Sequence, residues 1–379
     1  MRVTFDARHL QTASRTRGIG RYSRNLLAAF AHLAPADVTW TLLRLRNFAP
    51  ADAPALPPHR DLATLRFRRP ELSMLMVDPF ALSLELPFTR PDVYHSVQLG
   101  LPLLSTSRTV VTIHDLAPLR WPDAYLRLPH ARVGHAWQYA LARRADAVIA
   151  VSEATKRDIV DRLRIPESRV TVIPEAVDPA FAPPRPEHAR ALVHRMLGFD
   201  GPFVLYVGQF DPRKNMDGLV SAYARAAERH GDLRLVVAGE LGKLAPFLHD
   251  ALRRGNAPVQ RVAMIGHISD AELGALYAAA ECLLHPALLE GFGLTPLESL
   301  AAGTPVVGFR AGAVEEVVGD AGLLVDASRP EALGDALLQY LDDADLRERL
   351  RARAKARVAL FSWDRAARDT LAVYRGIAG

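Results

Sequence analysis

Two clusters of residues in this chain have the types and spacing to act on a phosphorylated, hydroxyl-rich ligand. The first is EGFGLTPLE, residues 290–298, where Glu290 and Glu298 stand eight positions apart with Gly291 and Gly293 between them. An apolar run, 282–285, leads into it, and a helix is expected to leave it at Pro296. Thr295 is placed to cap that helix, Pro296 suits its first position, and Glu298 falls three residues after the cap, the pattern of a capping box. A glycine loop opening onto a helix start offers N–H groups and partial positive charge to an anion. The carboxylates offer acceptors to hydroxyls. The second cluster is Asp211-Pro212-Arg213-Lys214, shortly after Gly208 and just before a helix. A helix start ordinarily favours acids, so two cations there point to an anionic ligand. Two further positions carry weaker signals. His114 precedes Asp115 at a strand end, where the aspartate can orient the imidazole or simply make the turn. Gly18 and Gly20, with Arg21 behind them, sit at a strand–loop–helix turn where missing side chains would let a diphosphate or an acceptor approach the backbone.

The elements that must hold these residues alternate regularly. Strands are expected at 2–6, 39–45, 62–67, 92–95, 109–113, 147–151 and 169–173, with helices at 21–32, 74–86, 131–143 and 153–163 between them. A proline-rich stretch, AFAPPRPEH at 180–188, reads as a linker without regular structure. The plan then repeats: strands at 203–207, 233–238, 262–265, 282–285, 305–309 and 323–325, with helices at 215–230, 247–253 and 270–279. A last helix spans 363–375. Such alternation predicts an α/β chain of two open parallel sheets covered by helices on both faces. In these sheets ligands bind beyond the carboxyl ends of the strands, which is where Gly208, Gly239, His114, Ser152, Gly266 and Glu290 fall.

Bulk properties narrow the class. The chain has 379 residues, 49% hydrophobic and 23% charged, with one cysteine, Cys282. No internal disulfide framework is possible, which suggests a reducing cytosol. Residues 1–7 read directly as a strand rather than a signal peptide, and no apolar run approaches the roughly 20 residues that span a bilayer. The net charge of +5 divides unevenly: residues 1–178 hold 24 Lys and Arg against 17 Asp and Glu, and the rest hold 23 against 25. A basic first half suits an anionic partner. The excess is modest and lacks aromatic–basic interleaving, so nucleic acid is not expected.

EGFGLTPLESLAAGTPVV resembles the donor-site signature of the retaining glycosyltransferases of family 4. GIGRYSRNL, TIHDLAPLRWP, VSEATKRDI, VIPEAVD, YVGQFDPRKNMDGL, AVEEVVGDAGLLVD and FSWDRAARDTLAVY also resemble that family's motifs, in family order. The resemblance covers nearly the whole chain. It implies a GT-B fold of two Rossmann-like domains facing across a cleft: residues 1–180 for the acceptor, 181–360 for the nucleotide-sugar, and 361–379 as a helix crossing back to the first domain. It implies transfer of a sugar from a nucleoside diphosphate to an acceptor hydroxyl with retention, with domain closure excluding water. Arg213 and Lys214 would bind the donor diphosphate and could replace a metal, Glu290 would contact a sugar hydroxyl, and Glu298 would hold the ribose while capping its helix. Gly291, Phe292, Gly293, Leu294 and Thr295 would supply the donor loop, with Gly208, Gly239, His267 and Ile268 around it. His114 would lie against the donor sugar, and Gly18, Gly20, Arg21 and Asp115 would form an acceptor or diphosphate loop. No metal or cofactor is expected. Where the family often has Asn-Gly in its VIP-x-x-VD turn, this chain has Glu175-Ala176, a departure whose effect the residues alone do not give.

GIGRYSRNL and TIHDLAPLRWP look most similar to bacterial mannosyl- and rhamnosyltransferases of polysaccharide assembly. GDP-mannose is therefore the leading donor expectation, with a lipid-linked saccharide at the inner membrane face as acceptor. Arg66, Arg68, Arg69 and the apolar 99–104 would make a peripheral docking surface. A soluble acceptor, as in natural-product glycosylation, fits the motifs equally. Two rivals remain: a relative of the same fold that epimerises or phosphorolyses sugars, and a non-catalytic nucleotide-sugar-binding protein, which an intact Glu290, His114, Arg213 and Lys214 argue against. Three decoys are set aside. Asp343-Ala344-Asp345 mimics a metal motif of a different glycosyltransferase architecture but sits in a charged helical tail. His130 and His135 are spaced poorly for one helix face. Met74 and Met76 read as core or as an apolar acceptor-side surface.

Overall fold

A computed structural model describes residues 1–46, 55–64, 76–209, 211–266 and 268–379. The chain divides into two compact units, residues 1–175 with 362–379, and residues 176–361.

Among the described residues the first unit contains a seven-stranded sheet. Its strands are β1 (Arg2–Asp6), β2 (Thr39–Leu45), β3 (His59–Thr64), β4 (Val93–Ser96), β5 (Arg108–Ile113), β6 (Ala147–Ala150) and β7 (Val170–Val172). They lie in the order β3-β2-β1-β4-β5-β6-β7, every pair parallel. Parallel sheets are covered on both faces, and the central strands β1, β4 and β5 are buried beyond their first residues even where they carry Thr4, Asp6, His95 and Ser96. The order reverses between β1 and β4, leaving a crevice at their carboxyl ends. Helix α1 (Gly18–Leu33) buries Tyr22, Leu26 and Phe30, one turn apart, against the sheet. Helix α2 (Glu153–Leu163) starts at Ser152, whose Oγ accepts the Thr155 N–H at 3.0 Å.

The closing helix, Trp363–Ala378, packs in this first unit, as the resemblance implied. Trp363 meets the edge of Tyr22 at 5.8 Å, Tyr374 hydrogen-bonds His95 Nδ1 at 2.5 Å, and Arg375 pairs with Asp37 through two contacts of 3.0 and 2.9 Å.

Among its described residues the second unit repeats the plan with six strands: β8 (Phe203–Val207), β9 (Arg234–Ala238), β10 (Val262–Ile265), β11 (Cys282–His285), β12 (Val306–Phe309) and β13 (Gly322–Val325). Their order is β10-β9-β8-β11-β12-β13, again all parallel, with the reversal between β8 and β11. Alternate residues of β8 enter different apolar clusters, Val204 and Tyr206 one and Phe203 and Leu205 the other. Helix α3 (Met216–Arg229) follows β8, α4 (Asp270–Ala279) precedes β11, and α5 (Leu294–Ala301) follows it.

Several expected boundaries move. The helix expected from Arg21 begins at Gly18, so both glycines of GIG lie in its first turn. The stretch 180–188, expected to lack regular structure, already holds a helix start at Pro186, because proline at the first helical position loses only an N–H that has no helical partner. The third strand starts at His59 rather than Leu62, and its expected end, 65–67, lies outside the described residues. So do Arg66, Arg68 and Arg69, and Met74. The apolar 99–104 is not a surface: Leu101 is 2% exposed and Gly100 and Pro102 are buried, leaving Leu104 as its one exposed leucine. Asp343 of the decoy DxD caps a helix, its Oδ1 accepting the Leu346 N–H at 2.8 Å.

Candidate active site

In the second unit the reversal of strand order gathers the loops that follow β8 and β11. The first begins at Gly208, whose N–H continues the ladder to Ala238 O at 3.0 Å. Asp211 then accepts the Arg213 N–H at 3.1 Å and stands 3.4 Å from Arg213 Nε, which folds Pro212–Lys214 into a short 3-10 turn. Asn215 has φ of +54° and caps α3 by accepting the Gly218 N–H. The two loops are tied together. Leu288 donates its N–H to Arg213 O at 2.7 Å, and Asn215 Nδ2 donates to Pro286 O at 3.2 Å.

That tie brings three ionisable side chains to one point. Lys214 Nζ lies 2.5 Å from Glu290 Oε1, and His285 Nε2 stands 3.2 Å from the same oxygen. All three are largely buried. Burial by itself would raise the Glu290 carboxyl, but the Lys214 ammonium, with His285 and Arg213, outweighs it and holds the group well below the usual carboxylate range. Burial pushes His285 the other way, towards its neutral form. A carboxyl with a depressed folded-state pKa contributes stability above its ordinary pKa of about 4.3, and loses it as pH falls through the lower folded value. Nucleotide affinity measured calorimetrically should therefore show no titration of Glu290 between about pH 5 and pH 8. A transition in that window that Glu290→Gln removes would contradict the assignment.

Residue 290 is also fixed through its backbone. Ala313 donates its N–H to Glu290 O at 3.0 Å, and Gly312, with φ of +61°, passes so close that a Cβ there would meet the Glu290 oxygen at 2.2 Å. Neither Gly312 nor His285 stood out from the sequence. The available signal was a glycine between β12 and the AVEEV helix, and a histidine ending a buried strand.

The expected capping box is absent. The cap of α5 is Gly293, with φ of +102° and no side chain to offer, so Leu294 and Thr295 are already helical and Pro296 follows them. A left-handed turn at Gly293 starts the helix two residues early, which takes Glu298 out of reach of a capping role. Glu298 is instead 3% exposed and accepts a hydrogen bond from the Tyr277 hydroxyl at 3.1 Å. The N–H groups of Gly293, Leu294 and Thr295 have no partner inside the helix. Phe292 is buried edge-on against Phe361 at 5.6 Å, beside Gly291 in the same loop. Gly239 ends β9 by donating to Ile265 O at 3.1 Å, and Ile268 packs on the apolar core. His267 lies outside the described residues. The loop after β8, Glu290 and the start of α5 thus meet at the crevice between β8 and β11.

In the first unit His114 follows β5. Its Nδ1 is 3.1 Å from Glu175 Oε1 and its Nε2 is 3.1 Å from Val97 O. Tyr22 packs edge-on against the ring at 4.9 Å. Asp115 serves the turn, its Oδ1 accepting the Ala117 N–H at 2.9 Å. Gly20 has a structural reason: a Cβ would meet Ser14 O at 2.2 Å, because the turn Ala13–Thr16 folds directly over it. Gly18 has open space and Arg21 donates its N–H to Arg17 O. Beneath this group is a buried ionic cluster that the sequence did not reveal. Arg8 bridges Asp6 at 2.5 Å and Asp78 at 2.6 Å, and holds the chain where it leaves β1 at the reversal of strand order.

Among the described residues no group of three or more His, Cys, Asp or Glu side chains could hold a metal ion, and no helix is long and apolar enough to cross a membrane.

Residues 195–357 match the family model described as "Glycosyl transferases group 1", and residues 16–181 match the one described as "Glycosyltransferase Family 4". An Escherichia coli protein, O-antigen chain mannosyltransferase B, is 30% identical over 94% of this chain and 96% of its own length. A D-inositol 3-phosphate glycosyltransferase of Salinispora tropica is 33% identical over 73% of this chain and 59% of its own. Among solved structures, sucrose-phosphate synthase from Thermosynechococcus elongatus superposes with a TM-score of 0.78 over 99% of this chain and 98% of its own at 23% identity, a likeness of fold.

Proposed function

The chain belongs to glycosyltransferase family 4, and from that premise we propose a specific reaction for it: metal-independent transfer of a hexose, mannose in the leading reading, from a nucleoside-diphosphate donor to an acceptor hydroxyl with retention of configuration. The observation that carries the proposal is the Arg213–Lys214–Glu290 cluster at the reversal of strand order in the second unit. The leaving nucleoside diphosphate gains negative charge as its glycosidic bond breaks. Two cations and the start of α5 would stabilise that charge. Glu290, kept ionised, would accept from a sugar hydroxyl, and Glu298 would accept from the ribose.

The reaction balances without a protein nucleophile. The acceptor oxygen bonds to the anomeric carbon on the face from which the phosphate departs. The bond from that carbon to the phosphate oxygen breaks, and the acceptor proton passes to the leaving phosphate. Arg213 and Lys214 would hold that phosphate throughout.

Mannose and a role in bacterial polysaccharide or glycolipid assembly are supported by the name of the Escherichia coli relative, which this chain matches almost end to end. A place at the cytoplasmic membrane face is supported by an exposed apolar stripe on the first unit. Phe80, Leu84 and Phe88 recur every four residues, 48%, 74% and 84% exposed, with Leu104 alongside.

A panel of nucleotide-sugars tested by thermal shift, followed by transfer with the best donor in EDTA, examines the whole reading. Stabilisation by GDP-mannose and transfer in EDTA to a lipid-linked acceptor on vesicles are expected. A strict Mg²⁺ requirement would remove the cation-replacement argument. Transfer confined to soluble acceptors would favour natural-product chemistry, and tight binding without any turnover would favour a binding protein.

A further inference from the structure

We propose that Glu175 is a positioning residue that engages the His114 ring so fully that His114 cannot serve as general base of the transfer. The argument begins with hydrogen-bond partners. Nε2 faces the Val97 carbonyl at 3.1 Å, and a carbonyl oxygen can only accept, so Nε2 carries a proton. Nδ1 faces Glu175 Oε1 at 3.1 Å. That contact needs one proton, on the imidazole or on the carboxyl. In the first case the pair is imidazolium and carboxylate. In the second it is a neutral ring accepting from a carboxylic acid. Neither arrangement leaves the ring a lone pair for an acceptor hydroxyl.

The surroundings hold the pair in place. Glu175 is 4% exposed and its Oε2 is buried without a hydrogen-bond partner among the described residues, so the carboxyl cannot turn away into water. Tyr22 closes one side of the ring edge-on at 4.9 Å, and its hydroxyl is held by Thr112 at 3.1 Å. Thr112 in turn meets His95 Nε2 at 2.8 Å, and Tyr374 of the closing helix meets His95 Nδ1. Burial lowers His9 to about 4 and His95 to about 3, so both neighbouring imidazoles stay uncharged, and the Glu175 carboxyl is the group that meets the ring. An amide at position 175, as the family often has, could donate to a neutral Nδ1 without an extra proton. The carboxylate requires one. The change from amide to acid therefore adds a proton to the pair, whichever partner carries it.

The test has two arms, and only the kinetic one rests on the proposed reaction. In the full chain labelled with ¹⁵N-histidine and assigned with a His114→Gln variant, both nitrogens of His114 are expected to resonate as protonated or strongly hydrogen-bonded. Glu175→Gln should shift Nδ1 alone to the unprotonated position of a neutral ring. In transfer assays with the donor that the panel identifies, Glu175→Ala is expected to lower kcat about 10-fold, the loss of one buried hydrogen bond, with donor KM little changed. Glu175→Asn should recover most of it, because the amide can still orient the ring. A wild-type Nδ1 that resonates as a free lone pair, or a Glu175→Ala variant with unchanged kcat, would overturn the proposal. If no donor gives transfer, the reaction fails while the labelled spectra still decide the pairing.

Discussion

Replacing Arg213 and Lys214 together by alanine is expected to lower sugar transfer by at least about 10³-fold and to weaken nucleotide binding in parallel. In the proposed reaction each cation would face the growing leaving-group charge, and removing one preorganised donor of that kind typically costs about 10² to 10³ in rate. The double variant has a second effect that must be separated from the first. Lys214 is the partner of a buried carboxylate, and breaking a buried pair from one side costs about 3–5 kcal/mol, because the remaining charge has no counterpart. A Lys214→Met, Glu290→Gln variant removes both charges and should recover much of the thermal stability while staying inactive. Arg213→Ala by itself leaves the Lys214–Glu290 pair whole, so its loss of rate should come with little loss of Tm. Unchanged kinetics in the double alanine variant would sink the assignment of the diphosphate site.

Gly312→Ala is expected to be the most damaging single-methyl change in the second unit. The added Cβ would lie 2.2 Å from Glu290 O and 2.9 Å from Glu290 N, and the neighbour is backbone rather than a side chain that could swing aside. The φ of +61° adds strain for any other residue. Together these suggest about 3 kcal/mol of destabilisation, relieved by pushing the 288–293 loop outwards. Because Lys214 and His285 meet Glu290 through that loop, the shift should separate the ion pair and lower donor affinity together with Tm. Denaturant melts and nucleotide titrations of the same preparation check both. A variant with native stability and affinity would show that the close approach at Gly312 does not govern the loop. Gly18, with open space for a Cβ, supplies the contrast: Gly18→Ala should cost little.

Much of the architecture was legible because it depends on local regularities. Short apolar runs alternating with amphipathic helices led to two parallel sheets, and most strand boundaries moved by no more than a residue or two. The misses share a cause. At Gly293 a glycine cap preceded the threonine that looked like one, and the capping box dissolved because the helix started two residues earlier. At Pro186 a proline that reads as a breaker sat at the one helical position where it does no harm. In GIG a motif suited to ligand approach was claimed, at Gly20, by the chain's own Ala13–Thr16 turn.

The sequence by itself determined which chemical groups the protein possesses and roughly where along each strand they emerge: Arg213 and Lys214 after β8, Glu290 after β11, His114 after β5. Periodicity and turn chemistry act over a few residues and are written in order along the chain. Only the tertiary structure decided which of those groups meet. Lys214 and Glu290 lie 76 positions apart, His114 and Glu175 lie 61 apart, and Glu298 finds its hydroxyl partner on Tyr277 of the preceding helix. Those pairings follow from the strand order, which places β11 beside β8 although two strands intervene in the chain. The protonation of each buried group follows from its partner and its burial, and neither is a local property of the chain.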